Sequence, residues 1–380
     1  MKKLLLPLFA LLLGATSEAQ ITTGAERMDR YLSLLEGRRV GVVTNHTGIV
    51  GGRHLVDTLL SRGVLIECVF APEHGFRGTA AAGEHVDSSR DAATGLEIIS
   101  LYGANRKPTP AQIERCDVIV FDIQDVGCRF YTYLSTMHYV MEACAQGGVP
   151  LLVLDRPNPN MYVDGPVMET ARHRSFVGMH PIPVLHGMTL GELARMIDGE
   201  GWLEGGVAGI DTPRDGAPVG GKNRLRCDLT VIPCGGYSRE MRYRLPVAPS
   251  PALPNMRAVY LYPSLCFFEA TAVSVGRGGD FPFQVLTYPD GTVVDLRSTP
   301  PDNEIVAHGI DLSYLIEAYR AVGDNPGGRK FLSPFFENLM GAGWVRTMIE
   351  SGAPDAEIEA RWAPDVERFK KVRKPYLIYD

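Results

Sequence analysis

The sequence predicts an α/β protein, with a Rossmann-like parallel-sheet domain followed by a second, C-terminal α+β domain. Its 380 residues are too many for one small domain and suggest two, since a domain has about 150 residues. The first half alternates short apolar runs with amphipathic segments, which is the pattern of strand–helix–strand units. The second half loses this alternation and contains the proline-rich stretch Pro246–Pro254.

Four apolar runs predict strands that are buried on both faces. They are Arg39–Val43, Val64–Phe70, Asp117–Phe121 and Val149–Leu154. Amphipathic segments between them, His54–Arg62 and Tyr133–Gln146, predict helices, and Gly147 with Gly148 provides a stop for the second. Strands that alternate with helices in this way favour a parallel sheet.

A polar loop rich in Gly or Pro follows each predicted strand. The loops are Thr44–Gly48, Pro72–Gly78, Asp122–Arg129 and Asp155–Asn160. In an open parallel sheet the carboxyl ends of the strands share one edge, and ligands bind outside that edge. We therefore expect the four loops to converge on one site.

The remaining chain contains a fifth strand–helix unit and a change of composition. In Pro183–Glu192, Thr189 and Glu192 have the spacing of a capping box. Gly205–Pro218 is rich in Gly, Pro and Asp, so we divide the chain there into a Rossmann-like catalytic domain, 20–205, and a C-terminal domain, 206–380.

The second domain is predicted to be less regular than the first. Tyr260–Val275 is aromatic and β-prone, Phe331–Met340 and Ala356–Val372 predict helices, and Tyr376–Tyr379 predicts a short final strand. Ser274–Asp280 is glycine-rich but lacks the GxGxxG spacing and the following helix of a dinucleotide-binding fold.

Composition and the N-terminus limit the partners and the location. Lys and Arg number 38 against 44 Asp and Glu, so the net charge of −6 gives no general attraction to nucleic acid, and we expect no such partner. Two lysines precede an apolar run, Leu4–Ala15, and small residues stand at Ser17 and Ala19, as in a cleaved export signal. We expect residues 1–19 to be removed and the protein to be periplasmic or secreted, without a membrane span.

Cysteine and histidine patterns argue against metal and redox sites. The seven cysteines are an odd number and include no CxxC motif. Cys227 and Cys234 are the best disulfide candidates, and the pairing stays open. No HxxxH or HxH spacing connects the histidines of the polar loops, so we expect no metal and no cofactor; these are His46, His74, His85 and His186.

Glu73 is the best candidate for a general acid, because it directly follows an apolar strand, where a carboxyl group is partly removed from water. The alternatives are a surface glutamate or an ion pair with Arg77. Asp122 and Asp125 offer a second carboxylate or acceptors for sugar hydroxyls, although Asp122 equally fits a role in binding loop amides. Absence of the GxSxG, P-loop and GxGxxG motifs favours a hydrolase scaffold over a dehydrogenase.

In order along the chain, these motifs resemble the NamZ-type exo-β-N-acetylmuramidases, glycoside hydrolase family 171. The first four motifs of the resemblance are Val43–Asn45, Ala71–Gly75, Phe121–Gly127 with Arg129–Tyr133, and Leu154–Pro159. Later ones are Ser175–Gly178, Pro181–Pro183, His186–Thr189 with Gly191–Ala194, Gly276–Gly278 with Pro282–Phe283, and Lys374–Tyr379.

The resemblance implies a Rossmann-like domain and a C-terminal domain with the active site between them, and release of N-acetylmuramic acid from the non-reducing end of peptidoglycan fragments. It assigns catalysis to Glu73, in the Pro-Glu-His-Gly motif, and we group His74 and Asp122 with it. The expected ligands of the muramyl saccharide are Asn45, Arg77, Gln124, Asp125, Arg129, Tyr131, Tyr133, Asp155, Arg156, Asn158, His186 and Arg277.

The chain also departs from the family pattern. Val275 stands where the family often has the Glu of Ser-Glu-Gly-Arg-Gly, and Ala252 follows Pro251 where the family has Ser-Pro-Asn. The stretch between Gln284 and Asp311 is shorter than in many relatives. A non-catalytic periplasmic binding protein for cell-wall fragments is therefore the alternative function, with a metal-dependent hydrolase or deacetylase third. Retaining, inverting and substrate-assisted hydrolysis all stay open.

Overall fold

The computed structural model describes residues 21–77, 89–204, 225–324 and 326–380. The predicted export signal, His85 and the predicted boundary between 205 and 206 lie outside the described residues. Both the location of the protein and this domain boundary therefore stay predictions.

The strands and helices are as follows. The strands are β1 (Arg39–Thr44), β2 (Ile49–Val50), β3 (Arg53–His54), β4 (Leu65–Ala71), β5 (Ser89–Arg90), β6 (Glu97–Ser100), β7 (Val118–Asp122), β8 (Leu151–Leu154), β9 (Val163–Asp164), β10 (Leu185–His186), β11 (Leu229–Ile232), β12 (Val285–Thr287) and β13 (Val293–Asp295). The helices are α1 (Leu32–Leu35), α2 (Leu55–Ser61), α3 (Pro110–Ile113), α4 (Tyr133–Gly147), α5 (Thr170–His173), α6 (Leu190–Glu200), α7 (Met256–Leu265), α8 (Asp302–His308), α9 (Ser313–Val322), α10 (Phe335–Met340), α11 (Gly343–Glu350) and α12 (Asp355–Val372).

A seven-stranded sheet in the order β11-β8-β7-β1-β4-β6-β5 forms the centre of the fold. Its strands are parallel except for the edge strand β5, which runs antiparallel to β6. The chain leaves β1 toward β4 and β6, and then returns to the other side of β1 as β7 and β8. This is the doubly wound Rossmann-like order, and it confirms the predicted fold class.

The strand register aligns the loops predicted to form the site. Thr44 at the end of β1 pairs with Asp122 at the end of β7, and Val43 pairs with Phe70 of β4. The sheet reverses its winding direction at β1, and the loops that follow β1, β4 and β7 leave it side by side. Ligands of such sheets bind at this position.

The four predicted strands correspond to β1, β4, β7 and β8, and both predicted helices form, as α2 and α4. Gly148 ends α4 in the left-handed conformation, at φ 64°. Thr189 and Glu192 form the capping box at the start of α6. The short strands β6 and β11 were not predicted, and β11 adds residues beyond position 206 to the central sheet.

One face of the sheet shares a continuous core with the C-terminal half of the chain. Buried residues of β1 and β7, such as Val43 and Phe121, belong to the same cluster as Phe267 and Trp362. The other face packs against α2 in a smaller cluster. The two halves are thus held together over one face of the sheet. In the part of the chain described here, no helix has the length and apolar content of a membrane span.

Two predictions in the second half are wrong. Tyr260–Val275 begins as helix, because the Asn255 side chain accepts a hydrogen bond from the Ala258 amide at 3.0 Å and caps α7. Tyr376–Tyr379 forms no strand. Its amides bind a side chain instead, since Ile378 donates to Glu192 at 2.7 Å.

The proposed pairing of Cys227 with Cys234 is also wrong, because both thiols are free. The two residues flank opposite ends of β11. The extended chain between them separates their Cα atoms by far more than the roughly 6.8 Å that a disulfide allows.

Candidate active site

Glu73 lies two residues beyond β4, at the carboxyl edge of the sheet, and its side chain is half-buried. Its Oε2 accepts a hydrogen bond of 2.6 Å from Oγ1 of Thr132, the residue before α4. Such a short O–H···O distance is typical of a hydrogen bond to a carboxylate. The contact fixes the orientation of the predicted acid by connecting the loops that follow β4 and β7.

The backbone after Glu73 adopts an unusual conformation. His74 is buried and has φ 72°, and Gly75 follows with φ 75°. A residue with a Cβ atom rarely occupies this left-handed region, and such positions concentrate at functional sites. The amide of Gly75 donates to the Pro72 carbonyl at 3.0 Å and closes the turn that presents Glu73.

Aromatic side chains at the start of α4 connect the loops around Glu73. Asn45 donates to the Tyr133 hydroxyl at 2.9 Å, and that hydroxyl donates to the Pro249 carbonyl at 3.2 Å. The Tyr131 ring meets Tyr133 and Tyr262 edge-on, with centroids 4.8 and 5.8 Å apart. Burial, with a smaller contribution from the charge of Glu73, raises the pKa of Tyr131 and of Tyr133, which keeps both neutral.

Asp125 is buried beside these tyrosines. The Gly127 amide donates to its Oδ2 at 2.7 Å, whereas Oδ1 has no hydrogen-bond partner among the described residues. Burial raises the pKa of this carboxyl group to about 7. Gln124 donates to two carbonyls, and its Oε1 likewise lacks a partner in the described chain. Two buried acceptors without protein donors are what a site for sugar hydroxyl or amide groups requires.

Asp122 forms a buried ion pair with Arg156. Its two oxygens accept hydrogen bonds from Nε and Nη2 of Arg156 at 2.6 and 2.9 Å, and Nη2 also donates to the Ile49 carbonyl at 3.2 Å. The attraction of Asp122 raises the pKa of Arg156 against the opposing effect of burial. Both oxygens of Asp122 are therefore engaged, and the pair joins the ends of β7 and β8.

Asp155 binds residues at the start of α6 and at the C-terminus. It accepts hydrogen bonds from the Thr189 hydroxyl at 2.7 Å, the Gly191 amide at 2.8 Å and the Tyr379 hydroxyl at 2.7 Å. Burial raises its pKa to about 6, against the effect of these donors. Asn158 in the same loop donates to the Met188 carbonyl at 2.9 Å. This loop therefore anchors α6.

Three further predicted ligands also have protein partners. Arg77 binds Asp91 with two nitrogens. His186 is buried, and its Nδ1 accepts a hydrogen bond of 3.2 Å from the Met188 amide, whereas its Nε2 has no partner among the described residues. Desolvation and nearby arginines lower its pKa to about 3. Burial lowers the pKa of Arg129 to about 9. Its guanidinium donates at 2.8–2.9 Å to the carbonyls of Pro166, Ile182, Leu339 and Met340.

Arg277 comes from the second half of the chain and pairs with Glu269. Its Nε donates to Glu269 Oε1 at 2.9 Å, and its guanidinium lies 5.0 Å from the centroid of Phe283. The pKa of Glu269 is raised, chiefly by burial and also by the charge of Glu73, while Arg277 opposes the shift. Glu269 is thus electrostatically coupled to the predicted acid.

The structure therefore groups only part of the predicted site around Glu73. Asn45, Asp125, Tyr131 and Tyr133 lie in the connected loops, whereas no hydrogen bond between described residues joins Asp122, Asp155 or Arg129 to Glu73. Sequence reasoning missed Thr132 and Glu269. Thr132 lies inside a motif that was recognised, and the single charge in the apolar run Cys266–Ala270 was the available signal for Glu269. Within the described ranges no three His, Cys, Asp or Glu side chains form a group suited to a metal. The individual catalytic and binding roles stay predictions.

Comparisons with known proteins agree with this architecture. Residues 40–257 match a model of the N-terminal part of "Exo-beta-N-acetylmuramidase NamZ", and residues 260–299 and 302–379 match its C-terminal part. The peptidoglycan β-N-acetylmuramidase NamZ of Bacillus subtilis (strain 168) is 34% identical, over 95% of this chain and 92% of that protein.

Two crystal structures of DUF1343 family proteins from Bacteroides fragilis NCTC 9343 are similar over 95% of this chain. The first has a TM-score of 0.83 and 43% sequence identity, and the match covers 99% of its chain. The second has a TM-score of 0.77 and 28% sequence identity, and the match covers 100% of its chain. The family models together span most of the chain, and the match to the Bacillus relative is nearly full length. The chain therefore belongs to the NamZ family of exo-β-N-acetylmuramidases.

Proposed function

We propose that this protein is an exo-acting glycoside hydrolase that releases N-acetylmuramic acid from the non-reducing end of peptidoglycan fragments. The position of Glu73 supports this proposal most directly. It is a half-buried carboxyl group at the switch point of the sheet, held by Thr132 at 2.6 Å, and its charge contributes to the raised pKa of Tyr131 and Tyr133. Membership of the NamZ family favours this function over a binding protein that does not cut its ligand.

Glu73 is the general acid of the proposed reaction. Its carboxyl group donates a proton to the glycosidic oxygen as the bond from that oxygen to the anomeric carbon breaks. The hydroxyl of Thr132 orients the carboxyl group. The unpaired acceptors of Gln124 and Asp125 bind hydroxyl or amide groups of the sugar, which fixes the scissile bond against the acid.

The proposed location is the periplasm or the cell exterior. The lysines and the apolar run at the N-terminus support export, and peptidoglycan lies outside the cytoplasm. Expression of the full chain, followed by N-terminal sequencing of the extracytoplasmic protein, tests this. Cleavage after Ala19 is expected, whereas an intact N-terminus in the cytoplasm would contradict export.

Incubation with a disaccharide that has N-acetylmuramic acid at its non-reducing end tests the function. Mass spectrometry should show free N-acetylmuramic acid and the released second sugar from the wild type. The Glu73→Gln variant should fold normally and lose most turnover, by about 10²–10⁴-fold. Fragment binding without any release of sugar would support the binding-protein alternative instead.

A further inference from the structure

Glu269, in the second half of the chain, lies within electrostatic range of Glu73. It stands in the short 3₁₀ helix Cys266–Ala270, directly after α7. Phe130 packs edge-on against Tyr262 and Phe267, at 5.3 and 5.7 Å between centroids. Thr132, which donates a hydrogen bond to Glu73, lies two residues after Phe130. The segment that contains Thr132 therefore packs against the segment that contains Glu269.

Glu269 and Glu73 are coupled across this contact. The charge of Glu73 adds to the effect of burial in raising the pKa of Glu269, so the two carboxyl groups lie within electrostatic range of each other. Each is anchored separately, Glu73 by Thr132 and Glu269 by Arg277. Most glycoside hydrolases use a pair of carboxyl groups that flank the scissile glycosidic bond.

Arg277 orients Glu269 and leaves one of its oxygens available. Both hydrogen bonds from the guanidinium end on Oε1, and Oε2 makes none to the described residues. Arg277 is itself held against the face of Phe283. The side chain of Glu269 is 23% exposed, so Oε2 can meet solvent or substrate while Oε1 stays fixed.

The other carboxylates near the carboxyl edge of the sheet are less suited to this position. Asp122 has both oxygens bound to Arg156, and Asp155 is occupied by donors from α6 and Tyr379. Asp125 has a free oxygen, but it belongs to the same half of the chain as Glu73.

We propose that Glu269 is the second catalytic carboxylate and acts as general base toward water; this inference rests on the proposed function. Oε2 of Glu269 takes a proton from the attacking water, whose oxygen forms a bond to the anomeric carbon. The bond from that carbon to the glycosidic oxygen breaks with its electron pair on the oxygen, which takes the proton of Glu73. A β-linked substrate then gives α-N-acetylmuramic acid as the first product, with inversion.

The test compares Glu269→Gln and Glu73→Gln on two substrates, the disaccharide and a 4-nitrophenyl β-glycoside of N-acetylmuramic acid. Nitrophenolate leaves without protonation, so Glu73→Gln should lose far less turnover on the aryl glycoside. Loss of the base should lower kcat by about 10²–10⁴-fold on both substrates. Glu304→Gln makes the same change on the exposed surface of α8 and should keep wild-type activity.

Two readouts separate a catalytic role of Glu269 from a structural one. Proton NMR of the wild-type reaction should show the α-anomer first. Azide added to Glu269→Ala should restore turnover and give the α-glycosyl azide, which a merely misfolded variant would not do. Near-wild-type activity of Glu269→Gln, or a β-anomer formed first, would overturn the inference while leaving the hydrolase function intact. A wild-type protein that releases no sugar would overturn the proposed function itself.

Discussion

The Thr132 hydroxyl donates a hydrogen bond of 2.6 Å to the Glu73 carboxyl group and so joins the start of α4 to the loop after β4. The two residues lie 59 positions apart in the sequence. Because α4 is anchored by a long buried face, it provides a rigid support for a side chain that stands in a loop. The position of the proposed acid thus depends on helix packing as well as on its own loop.

Replacement of Thr132 by Val should lower kcat on the disaccharide by about 10-fold or more. The hydroxyl stabilises the negative charge that develops on Glu73 as its proton leaves, and a hydrogen bond to a charged group contributes about 1.5–3 kcal/mol. The aryl glycoside should be much less affected, since its leaving group needs no proton. Thr132→Ser keeps the hydroxyl and should retain most activity. Equal losses on both substrates would show that Thr132 does not act through the acid.

Asp125→Asn should be more stable than the wild type at pH 8. The folded carboxyl group has a pKa of about 7, against an ordinary value of 3.8, so the folded state binds a proton that the unfolded state releases between these values. Wild-type stability therefore falls as the pH rises through this window. Urea unfolding should give the variant an advantage of about 2–4 kcal/mol at pH 8 that disappears below pH 4. A pH-independent difference would contradict the buried neutral carboxyl group.

Asp122→Asn should destabilise the protein by about 3–5 kcal/mol, because it leaves the buried guanidinium of Arg156 without its counter-charge. Denaturant unfolding at neutral pH measures this loss. A catalytic role of Asp122 predicts a different result for this variant. If the variant keeps wild-type stability and loses most of its kcat, Asp122 acts in catalysis and not chiefly as the partner of Arg156.

Tyr379→Phe should lower stability by about 1–3 kcal/mol, since it removes a donor from the buried Asp155 and an acceptor from the amide of Cys234. The ring still packs against Tyr237, at 4.9 Å between centroids, so the loss isolates the hydroxyl. Thermal unfolding measures the effect, and an unchanged melting temperature would show that the C-terminal contact does not stabilise the fold.

Local patterns predicted the first half of the protein well. The apolar runs that became β1, β4, β7 and β8 needed no knowledge of their neighbours, since continuous burial already specifies a central parallel strand. The error at α7 has the opposite cause. Its aromatic composition favours a strand, whereas the cap at Asn255 and the surrounding core determine a helix.

The candidate site was predicted only in part. The order of the loops along the chain was sufficient to place Glu73 at the sheet edge, because the carboxyl ends of parallel strands share one side. The partners of Asp122, Asp155 and Arg129 were not predictable, because a charged side chain in a loop has many potential partners at similar sequence distance. Packing in the folded protein pairs Asp122 with Arg156 and surrounds Arg129 with carbonyls from both halves of the chain.

The sequence by itself determined the strand and helix order, the Rossmann-like class and the family, because these depend on periodicity and on motifs a few residues long. The tertiary structure decided which polar groups are joined: Glu73 with Thr132, Asp155 with Tyr379, and Glu269 with Arg277 near Glu73. The physical reason is that a buried charged group is stable only when a nearby partner binds it. That partner is set by contacts between segments that are distant along the chain.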